Sequence, residues 1–159
     1  MKLYIIGTVG SGKTTLAKEL AAKYGVPWYE LDLVVYVKTA TERYKRTPDE
    51  QVAEIERIDN AGDWIMEGVV RESQRCLFDM ADQVIFLDTP AYVRNFRILR
   101  RFIRQQLGIE YCEYKSDLKM LKMMYGWSRK FERDREEFLM KLQPYEEKVK
   151  IIKNKNRLL

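Results

Sequence analysis

Residues 7–14 read Gly7-Thr8-Val9-Gly10-Ser11-Gly12-Lys13-Thr14, the pattern G-x-x-x-x-G-K-[ST] of a phosphate-binding loop. Gly7, Gly10 and Gly12 let the backbone wrap around phosphate oxygens with its N–H groups turned inward. Lys13 is placed to reach the outer phosphates, and Thr14 to put its hydroxyl on a magnesium ion. Ser11 and Thr15 complete the predicted nucleotide contacts. A helix starting at this loop would aim its positive end at the same anion.

The flanks supply the context that such a loop needs. Lys2-Leu3-Tyr4-Ile5-Ile6 is a short apolar strand candidate. Thr14 to Tyr24 reads as a helix with Leu16, Ala17, Leu20, Ala21 and Tyr24 on one stripe, closed by Gly25 and Pro27. Further on, Val26 to Leu31 reads as a second strand ending at Asp32. Residues 33–46 read as an irregular stretch carrying Arg43, Lys45 and Arg46. Thr47-Pro48-Asp49-Glu50 is a capping box with proline at the first helical position, and the helix behind it turns Val52, Ile55, Ile58 and Ala61 inward until Gly62.

A third strand, Trp64-Ile65-Met66, runs into Glu67-Gly68, and a short helical piece follows over Ser73 to Asp79. Gln83 to Asp88 is a continuous apolar run of the kind that parallel sheets bury. Thr89-Pro90 opens a long helix to about Leu107, a second spans Ser116 to Leu142, and Lys148 to Lys153 is a last strand. Strands alternating with helices predict a three-layer α/β/α fold with a five-stranded parallel sheet, in one domain over 1–159.

Composition narrows the chemistry. The 159 residues contain no histidine, which excludes His general bases, Ser-His triads and His-bound metals. Cys76 and Cys112 form no redox or metal-ligand spacing and read as reduced thiols. No apolar run is long enough to span a membrane, and no leader precedes the loop, so a cytoplasmic protein is expected. A net charge of +5 suits a polyanionic ligand and would tolerate DNA.

In parallel sheets ligands bind beyond the carboxyl ends of the strands. The residues there are the loop, Asp32, Glu67-Gly68 with Arg71, and Asp88. Asp32 would accept a proton from an acceptor hydroxyl or bind a sugar, or simply cap a turn. Glu67 would hold Mg²⁺ through water, and Gly68 would let substrate approach the backbone. Asp88 fits the turn into Thr89-Pro90 better than a metal site. On the helix after it, Arg94, Arg97, Arg101 and Arg104 share one face by i+3/i+4 spacing, with Phe96, Leu99 and Ile103 on another. Such a stripe is often a solvated face, but a nearly all-arginine one suits contact with a transferring phosphoryl group. Arg129, Lys130, Arg133 and Arg135 are interleaved with acidic residues and read mainly as intrahelical pairs.

On these residues the chain resembles the P-loop kinases related to adenylate kinase, above all bacterial DNA topology modulation proteins. The likeness covers Ile5-Ile6-Gly7, Gly10 to Ala17, Glu30-Leu31-Asp32, Thr47-Pro48, Trp64 to Gly68, Val84 to Pro90 and the arginine-rich helix. It implies ATP and Mg²⁺ as cofactors, an acceptor region over residues 33–62, and a short helical lid with its flanking helices over 94–135. It implies Glu67, Gly68 and Arg71 on the acceptor and metal side, and catalytic arginines drawn from Arg97, Arg101 and Arg129 alongside Lys13 and Asp32. Val69-Val70 stands where those proteins usually carry Asn-Tyr. The lid lacks a four-cysteine zinc pattern, and Asn154-Lys155-Asn156 is placed for a base-side loop. The leading expectation is phosphoryl transfer from ATP to a small acceptor such as a nucleoside or nucleotide. The alternative is a nucleotide-dependent regulator that binds DNA, or a nucleotide-binding protein with vestigial hydrolysis.

Overall fold

The computed structural model describes residues 1–38, 43–112 and 114–153. Five parallel strands form the central sheet in the order β2-β5-β1-β6-β7: β1 Lys2–Ile6, β2 Trp28–Glu30, β5 Trp64–Gly68, β6 Gln83–Leu87 and β7 Val149–Ile152. Chain progression moves to one side of β1 with β2 and β5, then to the other with β6 and β7. The phosphate-binding loop leaves β1 at this reversal, where neighbouring connections diverge and open a crevice.

Alternation along the strands supplies two separate cores. Leu3, Ile5, Ile65, Ile85 and Leu87 face α1 (Lys13–Tyr24), meeting Leu16, Ala17 and Leu20. Tyr4, Ile6, Trp64, Met66, Val84 and Phe86 face the opposite layer. There they meet α2 (Leu31–Val35), α3 (Pro48–Asn60), α4 (Cys76–Met80) and the end of α6 (Leu118–Leu142). The expected three-layer α/β/α arrangement is therefore present.

Local chemistry explains the boundaries. Both halves of the predicted capping box form at α3: Thr47 Oγ1 accepts from the Glu50 N–H at 3.3 Å, and Glu50 Oε2 accepts from the Thr47 N–H at 2.7 Å. The inward residues of α3 are Gln51, Ile55 and Ile58, whereas Ala61 is exposed. Gln51 is buried because its amide bridges the Arg46 carbonyl and the Ser73 hydroxyl, at 2.8 and 2.9 Å. Tyr24 does not join the α1 stripe and is 54% exposed, since Gly25 turns the chain away just after it.

Two segments depart from the sequence expectation. Strand β2 stops at Glu30, and Leu31, Val34 and Val35, buried at helical spacing, form α2. The stretch 33–46, expected to be irregular, also contains β3 (Tyr36–Lys38) and β4 (Arg43–Lys45), an antiparallel pair. Arg46 anchors that pair by donating to the Val34 carbonyl at 2.8 Å. The Asn154-Lys155-Asn156 segment lies outside the described residues.

The largest departure concerns α5 (Ala91–Gln106). Its arginine face points inward: Arg94 is fully buried beside Ile98, while Tyr92, Phe96, Leu99 and Ile103 are exposed. A helix normally buries its apolar stripe. Here the inner side offers carbonyls, a hydroxyl and a carboxylate, and these suit guanidinium groups better than methyl groups.

Candidate active site

The loop between β1 and α1 is shaped by two residues with left-handed backbone. Gly10 has φ +73° and Gly12 φ +100°, and a Cβ at Gly10 would lie 2.9 Å from the Arg94 carbonyl. Both positions thus demand glycine for conformation, and Gly10 also for space. Ser11 is buried, and Thr15 is exposed one residue beyond Thr14.

Lys13 opens α1 and folds back so that its Nζ donates to the Thr8 carbonyl at 3.2 Å. Burial lowers its pKa, partly offset by the negative charges of Glu67 and Asp32, while Arg101 and Arg71 add to the lowering. Thr14 Oγ1 donates to Glu67 Oε1 at 2.5 Å. Glu67, in β5, is only 4% exposed, and burial raises its pKa against the opposing pull of Lys13 and the Thr14 hydrogen bond. The parallel register that sets Ile5 against Glu67 fixes this juxtaposition across the sheet.

Asp32 is not at a strand end but on the second residue of α2, largely exposed, where it accepts from Arg71 Nη2 at 2.5 Å. Arg71 Nη1 is buried without a hydrogen-bond partner among the described residues. Gly68 is needed for packing: an added Cβ would lie 2.8 Å from Cβ of Leu31, the first residue of α2.

Asp88 forms a two-pronged pair with Arg135 of α6, at 2.9 and 2.5 Å, while 6% exposed. Through this pair Asp88 anchors α6, and Arg135 is drawn across to it rather than bonded only within its own helix. The arginines of α5 divide by role. Arg97 Nη1 donates to the Ser11 carbonyl at 2.7 Å and the Gly10 carbonyl at 3.3 Å. Arg101 donates to Met124 Sδ at 3.3 Å and stands 6.0 Å from the Tyr114 ring, both neutral partners. Arg94 reaches Thr89, Ser128 and Glu132. Arg129 is exposed on α6 and lines a cavity of about 230 Å³ with Ala91, Asn95, Tyr125 and Glu132. None of the described hydrogen bonds ties it to the loop.

Lys13, Thr14, Glu67, Asp32, Arg71, Arg97 and Arg101 are therefore drawn to one end of the sheet. Thr89 was missed by the sequence reading. Its hydroxyl donates to the Ser11 carbonyl at 2.9 Å. Only its position directly after a buried strand could have signalled it.

The donors fit a hard divalent cation: one hydroxyl and one carboxylate, both oxygen. Among the described residues there is no group of three or more Cys, Asp or Glu able to hold a metal alone.

Solved structures resemble this chain to different degrees. Shikimate kinase from Acinetobacter baumannii in complex with shikimate matches at 16% identity and a TM-score of 0.59, over 96% of this chain and 83% of that one. Deoxyadenosine kinase from M. mycoides with bound dATP gives 14% identity and a TM-score of 0.49, over 96% and 91%. A gluconokinase from Sinorhizobium meliloti 1021 gives 17% and 0.48, over 88% and 96%. No curated protein matches the sequence. The sequence model of the AAA domain matches residues 3–116, and by that match the chain belongs to the AAA domain family.

Proposed function

We propose that the protein is a phosphotransferase that uses ATP with Mg²⁺ to phosphorylate a small acceptor. The observation that carries this reading is the pairing of the loop residues Lys13 and Thr14 with the buried carboxylate Glu67, beside the Asp32–Arg71 pair. Phosphoryl transfer asks the protein mainly for positioning and for charge. Lys13 would counter the charge on the outer phosphates, and Thr14 and Glu67 would hold the cation. When bound, that cation would neutralise phosphate charge.

Asp32 would orient or deprotonate the acceptor hydroxyl. Arg71 would hold an anionic group of the acceptor, a role favoured by its buried and unpaired Nη1. The segment 33–62 would frame the acceptor. Arg101, whose partners among the described residues are a thioether and a ring, can turn to a phosphate without breaking an ion pair among them. Shikimate, nucleosides and sugar acids are the acceptor types to test first, given the names of the kinases that resemble this chain. The inward arginine face of α5 favours this reading over DNA binding, because Arg94 and Arg97 are engaged inside the molecule.

A screen of ATP consumption against nucleosides, nucleoside monophosphates, sugar acids and shikimate-like hydroxy acids tests this proposal. One acceptor is expected to raise ADP formation well above background, and Lys13→Ala to abolish the rise. Full ATP affinity and turnover in Lys13→Ala would refute it.

A further inference from the structure

We infer that Arg94 is a positioning residue for the phosphate-binding loop, acting through Thr89. This inference rests on the nucleotide reading above and adds a residue that no loop motif contains. Arg94 is fully buried, yet each arm of its guanidinium has a partner. Nη1 donates to the Thr89 carbonyl at 2.6 Å, Nε and Nη2 to Ser128 Oγ at 3.3 and 3.2 Å, and Nη2 to Glu132 Oε1 at 2.7 Å. The Phe131 ring lies under it at 5.2 Å. Burying a guanidinium is unfavourable unless its donors are satisfied, and here the partners come from three places: the β6–α5 turn, and two turns of α6.

Thr89 is the link to the loop. With its carbonyl held by Arg94, its hydroxyl donates to the Ser11 carbonyl at 2.9 Å, and that carbonyl also accepts from Arg97 at 2.7 Å. In a trans peptide the C=O and the following N–H point in opposite directions. Fixing the Ser11 carbonyl toward Thr89 and Arg97 therefore turns the Gly12 N–H the other way, the donor direction a bound phosphate requires. A Cβ built at Gly10 would lie 2.9 Å from the backbone carbonyl of Arg94, so the loop packs against this residue directly as well as through Thr89. Arg94 touches no phosphate in this scheme; it orients a peptide that does.

The test is direct binding of ATP and of inorganic tripolyphosphate by calorimetry, on the full chain, for wild type, Thr89→Val, Arg94→Met and the double variant. Each protein is compared below its own melting transition. Thr89→Val keeps the shape and removes the hydroxyl; it is expected to weaken both ligands about tenfold, one well-placed hydrogen bond's worth. Arg94→Met is expected to show a similar loss, and the double variant no more than the larger single loss, because both act through one peptide. Additive losses, or folded single variants that bind like wild type, overturn the inference. Should Arg94→Met fail to fold, Glu132→Gln takes its place in the same cycle with Thr89→Val, and the same two outcomes decide. A wild-type protein that binds neither ligand overturns the nucleotide reading and this inference with it.

Discussion

Gly68→Ala is the substitution whose consequence follows most directly from geometry. The added methyl carbon would stand 2.8 Å from Leu31 Cβ, 3.0 Å from Cδ1 and 3.3 Å from Cγ. Carbon atoms rest at about 3.5–4.0 Å, so the nearest pair must separate by roughly 0.7 Å or more. Leu31 cannot swing aside, because the closest atom is its Cβ, which moves only with the backbone of α2. The side chain is also fully buried. Overpacking of this kind costs about 1–3 kcal/mol. The lost flexibility of glycine in a strand returns about 0.5–1 kcal/mol, leaving a net loss of about 1–2 kcal/mol.

Urea unfolding reads this out. With a denaturant slope of about 2 kcal/mol per molar, the midpoint falls by roughly 0.5–1 M at unchanged slope. Combining the substitution with Leu31→Ala isolates the cause. Leu31→Ala alone costs about 2–5 kcal/mol, and in its background Gly68→Ala is expected to cost less, since the contacts with Cδ1 and Cγ at 3.0 and 3.3 Å are gone while the 2.8 Å contact with Cβ stays but faces a looser core into which α2 can settle. An unshifted midpoint for Gly68→Ala, or an undiminished loss in the Leu31→Ala background, refutes the reasoning.

Removing the guanidinium of Arg135 leaves Asp88 buried without its partner; Arg135→Met is expected to lose about 2–3 kcal/mol, discounted because Arg135 is itself 33% exposed, and Asp88→Asn in that background should recover part of the loss in thermal melts. The pH profile of kcat/KM should be a bell. Burial raises the pKa of Glu67, so activity that needs its carboxylate falls on an acid limb displaced above the usual carboxylate range; burial lowers that of Lys13, so the basic limb sits below the usual lysine range. Stability follows the same signs. The Glu67 contribution is complete at acid pH and is lost as pH rises through its raised pKa, whereas that of Lys13 improves as pH rises from its lowered pKa toward the usual lysine range. Glu67→Gln should remove the acid limb of kcat/KM and weaken Mg²⁺ dependence, and an unchanged acid limb would count against Glu67 as the titrating group.

Much of the site was legible because its chemistry is local. The loop is a contiguous run, its neighbours are a strand and a helix, and the glycines are where the backbone needs them. The Thr47 capping box was legible for the same reason. What was hidden depends on direction and distance in sequence. Asp32 looked like a strand end because Val26 to Leu31 is mostly apolar, but the spacing of Leu31, Val34 and Val35 belongs to a helix. Arg135 looked like a partner for its acidic neighbours, yet its bond spans 47 residues to Asp88. The arginine stripe of α5 was found correctly as a stripe. Its orientation was not readable, because periodicity separates two faces without saying which one turns inward.

That orientation also sets the field at the site. With α5 turned in, Arg97 and Arg101 join Lys13 and Arg71 at one end of the sheet, against the carboxylates of Glu67 and Asp32. Four cations face two anions, and Arg97 spends its hydrogen bonds on backbone carbonyls, which carry no compensating full charge. An excess of about two positive charges gathered at one end of the sheet attracts a polyanion of similar net charge and speeds its arrival. A magnesium-bound triphosphate, with about two negative charges left over, fits that balance, whereas a neutral acceptor gains nothing from it. Raising salt from 50 to 500 mM should therefore weaken ATP binding severalfold while leaving the binding of an uncharged acceptor nearly constant. Equal salt sensitivity for the two would mean that the excess charge is spread over the surface rather than gathered by α5 at the loop.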